Sequence, residues 1–176
     1  MMLVFDLETT GLTLHPAAKL DAQPRIIEFG GVVLDGKGKT VSEHSVLIHP
    51  AISLPPEIVK ITGITDQELS GALTFAKAAP TLRAVFKGVK TVVAHNLPFD
   101  KSVFMYELER NNIADWPWPP RELCTVQLFA PEWGRNPRLV ELYERVMGTP
   151  LAQTHRALDD TRALAEIVVK ERLYQL

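Results

Sequence analysis

The chain has 176 residues, 46% hydrophobic and 23% charged, which supplies apolar material for one buried core and excludes wholesale disorder. With 19 basic against 21 acidic residues and a formal net charge of −2, it lacks the basic footprint of a protein that grips duplex nucleic acid by charge. A single cysteine, Cys124, excludes an internal disulfide framework and a zinc site built from thiolates alone, and no apolar run approaches the ~20 residues that span a bilayer.

The N-terminus meets an acid, Asp6, before any basic residue, so neither a signal peptide nor a membrane partner is expected, and the protein is expected inside the cell. Leu3–Leu7 is an apolar run suited to a buried strand, and residues 10–25, punctuated by Gly11, Pro16 and Pro24, read as a loop. Ile26–Leu34 and Thr40–Ile48 are β-rich, and Asp35-Gly36-Lys37-Gly38 between them predicts a hairpin turn, because glycine tolerates positive φ. Pro55-Pro56-Glu57 opens a short helix that Gly63 ends. The stretch 74–87 reads as helical, with a start near Thr81 or a kink at Pro80. Thr91–His95 predicts a strand, and Asn96 reads as the N-cap of a helix running to about Asn111. Trp116-Pro117-Trp118-Pro119-Pro120 reads as a surface loop whose tryptophans either pack on their own domain or mark an interface. A short element is expected near Leu123–Ala130, then a helix on Leu139, Leu142, Tyr143, Val146 and Met147, then a last helix over about 157–173. This order predicts one α/β domain over 1–176, a mixed sheet flanked by helices.

Three segments carry candidate chemistry. Asp6 and Glu8 lie two apart in the first strand, so both carboxylates share a face. Like charges on an apolar strand are unfavourable unless a hard cation neutralises them, although an exposed strand end facing water also fits the pattern. Asp100 falls in the first turn of a helix, where the helix dipole alone would suit it. Asp160 lies on the same helical stripe as Leu164 and Ile167, an acid aligned with the core, whereas Asp159 points away. His155 precedes that helix on a turn and is able to approach the same pocket. Four carboxylates without a matching cysteine or histidine cluster favour Mg2+ or Mn2+ over zinc, and two such ions with a nearby histidine as base describe phosphodiester hydrolysis.

Phe5-Asp6-Leu7-Glu8-Thr9-Thr10-Gly11-Leu12, His95-Asn96-Leu97-Pro98-Phe99-Asp100 and His155-Arg156-Ala157-Leu158-Asp159-Asp160 closely resemble the three motifs of the DEDDh, or DnaQ-like, 3′-5′ exonucleases. That family includes the proofreading subunit of bacterial replicative DNA polymerases. The resemblance implies a ribonuclease H-like sheet, metal binding by Asp6, Glu8, Asp100 and Asp160, and His155 as general base. It further implies that Thr9, Thr10, Gly11 and Leu12 hold the terminal nucleotide, with His95, Asn96 and Phe99 lining the cleft. Thr62, in Ile61-Thr62-Gly63-Ile64-Thr65, occupies a position where the bacterial proofreading subunit has histidine. The implied substrate is single-stranded or frayed DNA at its 3′ end, with RNA as the alternative and a DNA polymerase as a candidate partner. A non-catalytic module binding nucleic-acid ends or a polymerase is a third reading. Bacterial proofreading subunits carry a C-terminal extension that binds the polymerase, whereas the last helix expected here runs nearly to Leu176. Two bound divalent ions would move the net charge from −2 to +2, so the acidic balance is no obstacle to an enzyme that meets phosphate through metal.

Overall fold

The computed structural model describes residues 1–176 and holds one six-stranded mixed sheet with helices on both faces. Strands β1 (Met2–Thr9), β2 (Ile26–Leu34) and β3 (Thr40–His49) form the expected antiparallel meander. The turn between β2 and β3 closes as the glycines predict, with Gly38 at φ 78 and the Asp35 carboxylate accepting from the Lys37 and Lys39 backbone N–H groups. Helices α1 (Pro56–Thr62) and α2 (Asp66–Leu69) and the two-residue strand β4 (Leu73–Thr74) follow. Gly63 ends α1 in the left-handed conformation. Then come α3 (Phe75–Phe86), β5 (Thr91–Ala94), α4 (Leu97–Arg110), β6 (Arg121–Cys124), α5 (Thr125–Trp133), α6 (Leu139–Met147) and α7 (Ala157–Lys170). The sheet order is β4-β3-β2-β1-β5-β6, with β5 parallel to β1 and β6 parallel to β5. No helix is long and apolar enough to cross a membrane.

Period-two alternation along β1 feeds two cores. Leu3, Phe5 and Leu7 pack with Phe29, Leu82, Phe86 and Phe104 beneath α3 and α4. Met2 and Val4 pack on the other face with Leu142 of α6 and Leu164, Ile167 and Val168 of α7. β2 is buried along its whole length because both faces are covered. By the same alternation Asp6 and Glu8 continue the α7 face towards the C-terminal end of β1.

Three expectations are corrected. α3 begins at Phe75 and carries Pro80 inside, not a start near Thr81, because Phe75, Ala78 and Ala79 of the first turns are buried and hold that segment in place. Asn96 occupies the N-cap position of α4 but makes no side-chain cap bond; it adopts the left-handed conformation, φ 75, and turns the chain from β5 into the helix. The short element near Leu123–Ala130 is two elements, β6 pairing in register with β5 and α5 running on to Trp133. Trp116 and Trp118 pack against their own core, 5.6 Å and 5.5 Å from Phe86 between ring centroids, and Arg83 lies 5.0 Å over the Trp116 ring. The last helix ends at Lys170, and a 3-10 turn occupies Leu173–Gln175.

Candidate active site

Pairing of β1 with β5 stops at Val4–Val93, so the last five residues of β1, Phe5 to Thr9, run on with that edge open. The opening lies at the C-terminal ends of two parallel strands, the place where open α/β sheets bind ligands. α4 starts beside it and brings in Asp100, which is 2% exposed, from its first turn. From the other face α7 brings Asp160, 5% exposed, and its preceding residue pair brings His155. α7 lies this close because β2 carries Gly30 directly opposite Asp6; a Cβ there would stand 2.2 Å from the Ala157 carbonyl carbon.

The four acids sequence reasoning selected therefore converge from three elements. Ligand atoms of Glu8, His155 and Asp160 lie within 4.8 Å of one another. Burial first, and then the charge of its neighbours Asp100, Glu8 and Asp160, holds the Asp6 carboxyl well above the usual carboxylate range. Burial, with Asp160, Glu28 and Asp100 nearby, pushes Glu8 up to about 8. Asp100 is raised by burial too, although its own and the Leu7 backbone N–H favour the charged form. Asp160 is raised by burial against the hydrogen bond that Gln153 Nε2 donates to it at 2.8 Å. Arg156, acting on Glu8, is the one side-chain cation that eases Asp6, Glu8 or Asp100, so the cluster has a deficit of positive charge. An all-oxygen donor set with that deficit fits a hard divalent cation. Asp159 points away, as its helical phase requires, and accepts from Thr154 and Arg162.

The remaining candidates surround this centre unevenly. Thr9 donates to the Gly11 carbonyl, and the Thr10 hydroxyl accepts from the Arg25 backbone N–H, so the turn after the acids is fixed internally. Leu12, 81% exposed, stands free beside it. The Thr62 hydroxyl donates to the Ile58 carbonyl and accepts from the Ile64 N–H. Both His95 ring nitrogens are engaged, with the Thr125 hydroxyl and the Pro137 carbonyl, and burial holds its pKa below the ordinary value. Asn96 is exposed, and Phe99 packs on the core. A cleft of about 550 Å³, lined by His95, Asn96, Asn136, Arg138, Gln153 and His155, opens next to the acids. Sequence reasoning passed over Glu28, Gly30 and Gln153. The first two had a signal: a lone acid and a glycine pair inside the apolar run Ile26–Leu34 break its pattern, as Asp160 breaks that of α7.

The exonuclease family designated RNase T matches residues 3–168 of the chain. A Mycobacterium tuberculosis protein named as a bifunctional exonuclease/endonuclease is 37% identical over 172 residues, covering 94% of this chain and 25% of that protein. The DNA polymerase III subunit epsilon of Treponema pallidum is 32% identical over 170 residues, covering 93% of this chain and 72% of that subunit. The chain thus spans a quarter of the first relative and about three-quarters of the second. The solved structure of exonuclease X in complex with 5′ overhanging duplex DNA superposes with a TM-score of 0.70 at 25% identity, over 96% of this chain and 89% of the other.

Proposed function

Because the chain belongs to the RNase T exonuclease family, of the DEDDh type, we propose that residues 1–176 form one 3′-5′ exonuclease domain acting on single-stranded or frayed DNA and releasing nucleoside 5′-monophosphates. The observation that carries this reading is the convergence of Asp6, Glu8, Asp100 and Asp160, all with raised carboxyls, beside the imidazole of His155. These four acids would hold two divalent ions, Mg2+ or Mn2+. Such ions stabilise the attacking and leaving oxygens of a displacement at phosphorus. His155 would take the proton of the attacking water, as a general base whose ring nitrogen stands beside the acids. Thr9, Thr10 and Gly11 shape the turn that receives the terminal nucleotide. Exposed Leu12 lies against its base without reading its identity, as removal of any nucleotide requires.

Support for DNA comes from the polymerase subunit and the DNA-bound exonuclease X among the proteins this chain resembles, and the former also points to a polymerase as partner. The Thr62 hydroxyl is committed within its own helix end, to the Ile58 carbonyl and the Ile64 N–H, so the choice between DNA and RNA falls to the substrate test. The test is product analysis on matched single-stranded DNA and RNA, each free, 3′-blocked or 5′-blocked, with Mg2+, with Mn2+ and with chelator. Mononucleotide release that needs a free 3′ end and metal is expected. Release that needs a free 5′ end, or that survives chelation, refutes the proposal.

A further inference from the structure

Glu28 stands in β2 directly opposite Glu8 and is 1% exposed. Its carboxylate accepts from Arg156 Nε at 3.1 Å and Nη2 at 2.9 Å, from the Ala157 backbone N–H at 2.9 Å and from the Ser45 hydroxyl at 3.5 Å. Ala157 is the first residue of α7, Arg156 is its N-cap, and His155 comes just before with φ 52. That left-handed backbone is uncommon for a non-glycine residue, though histidine tolerates it better than most, and the contacts around it help to hold it. The two residues that follow His155 are gripped together by one carboxylate from a strand 128 and 129 positions away in the chain. A helix N-terminus needs only an acceptor, and the Arg156 side chain itself supplies no cap bond. The two-point pairing with the Arg156 guanidinium adds a fixed orientation that an acceptor alone would not give.

We propose that Glu28 is a positioning residue for His155: by holding Arg156 and Ala157 it fixes the turn that aims the imidazole at the acids, while touching neither substrate nor the reacting atoms. This rests on the reading of His155 as the general base. Arg156 also reaches Glu68 of α2 at 3.3 Å, so its charge keeps a partner when Glu28 is neutralised.

The test is a double-mutant cycle. Glu28→Gln keeps an acceptor for Ala157 and loses the charged grip on Arg156. On single-stranded DNA with Mg2+, kcat is expected to fall about 10- to 100-fold while KM stays within about twofold. In a His155→Ala background the same substitution is expected to change kcat by less than about twofold. Added imidazole is expected to restore the His155→Ala enzyme equally with and without Glu28→Gln. An equal loss in both backgrounds, or no loss in the first, overturns the proposal and leaves Glu28 a general strut. No loss from His155→Ala itself overturns the reading of the base, and the positioning role with it. If Glu28→Gln does not fold, Arg156→Gln removes the same grip from a half-exposed side chain, and the same two outcomes decide.

Discussion

Glu8→Gln is expected to stabilise the metal-free protein while destroying its activity. In the fold the Glu8 carboxyl is pushed from its ordinary 4.5 up to about 8 by burial and by Asp160, Glu28 and Asp100. Its proton therefore binds more tightly in the folded chain than in the unfolded one. The stability this contributes is full below pH 4.5 and is lost as pH rises to about 8, above which the loss levels off. At pH 7 the fold has to hold a proton that the unfolded chain releases, which costs at most about 3 kcal/mol at ~1.4 kcal/mol per pH unit. A neutral amide removes that cost. In chelator at pH 7 the variant should unfold above the wild type by up to about 6 to 12 °C, since ~1 kcal/mol moves a domain of this size by ~2–4 °C. Near pH 4.5 the two should coincide. Mg2+ or Mn2+ should reverse the order by stabilising the wild type more, because metal binds the folded acids and displaces their protons. Thermal melts across pH 4.5 to 9, with and without metal, measure all of this. A variant no more stable than the wild type at pH 8 in chelator, or a difference that does not change with pH, refutes the account of a desolvated, mutually repelling acid cluster.

Gly30→Ala places a methyl group 2.2 to 2.4 Å from backbone atoms of Ala157 and Leu158, so α7 must shift; a loss of about 1–3 kcal/mol and a large fall in kcat are expected from chemical denaturation and rate measurements. Asp160→Asn, which keeps the size of the side chain, should abolish Mg2+-dependent turnover and weaken Mn2+ binding in a calorimetric titration while leaving the far-ultraviolet circular dichroism unchanged. Glu107→Ala should destabilise by about 3–5 kcal/mol in urea, because it strands the buried Arg110 that pairs with Glu107 at 3.0 Å and holds the Leu20 and Gln23 carbonyls of the loop after the first acids. Unchanged stability there would show that the loop is anchored elsewhere.

Much of the fold was legible because local rules and tertiary needs agreed. The meander follows from two β-rich runs joined by a glycine turn, and α7 from an apolar stripe. Helical phase alone places Asp160, and not Asp159, on the core-facing stripe of Leu164 and Ile167, and its burial at 5% agrees with that placement. Asn96 shows where a local rule failed. Its residue type suits an N-cap, but the chain must turn sharply from β5 into α4, and asparagine's tolerance of the left-handed region is what the turn uses. Around Pro80 the helix expected over 74–87 is present and only the start near Thr81 is excluded, because burial of the turns before the proline outweighs its cost inside α3.

The sequence by itself singled out the candidate side chains, since residue type and spacing place each acid on a face and three motifs in order name their family. Only the tertiary structure decided how those faces meet. Asp6 sits against α7 because Gly30, 24 residues downstream on the neighbouring strand, leaves room for a helix backbone where any side chain would collide. His155 is held through Glu28, which lies more than a hundred residues away in the chain. Periodicity reports the orientation of a residue within its own element; it carries no information about which distant residue stands opposite. Register, close approach and mutual desolvation are properties of pairs of elements, and they turn four separate acids into one site.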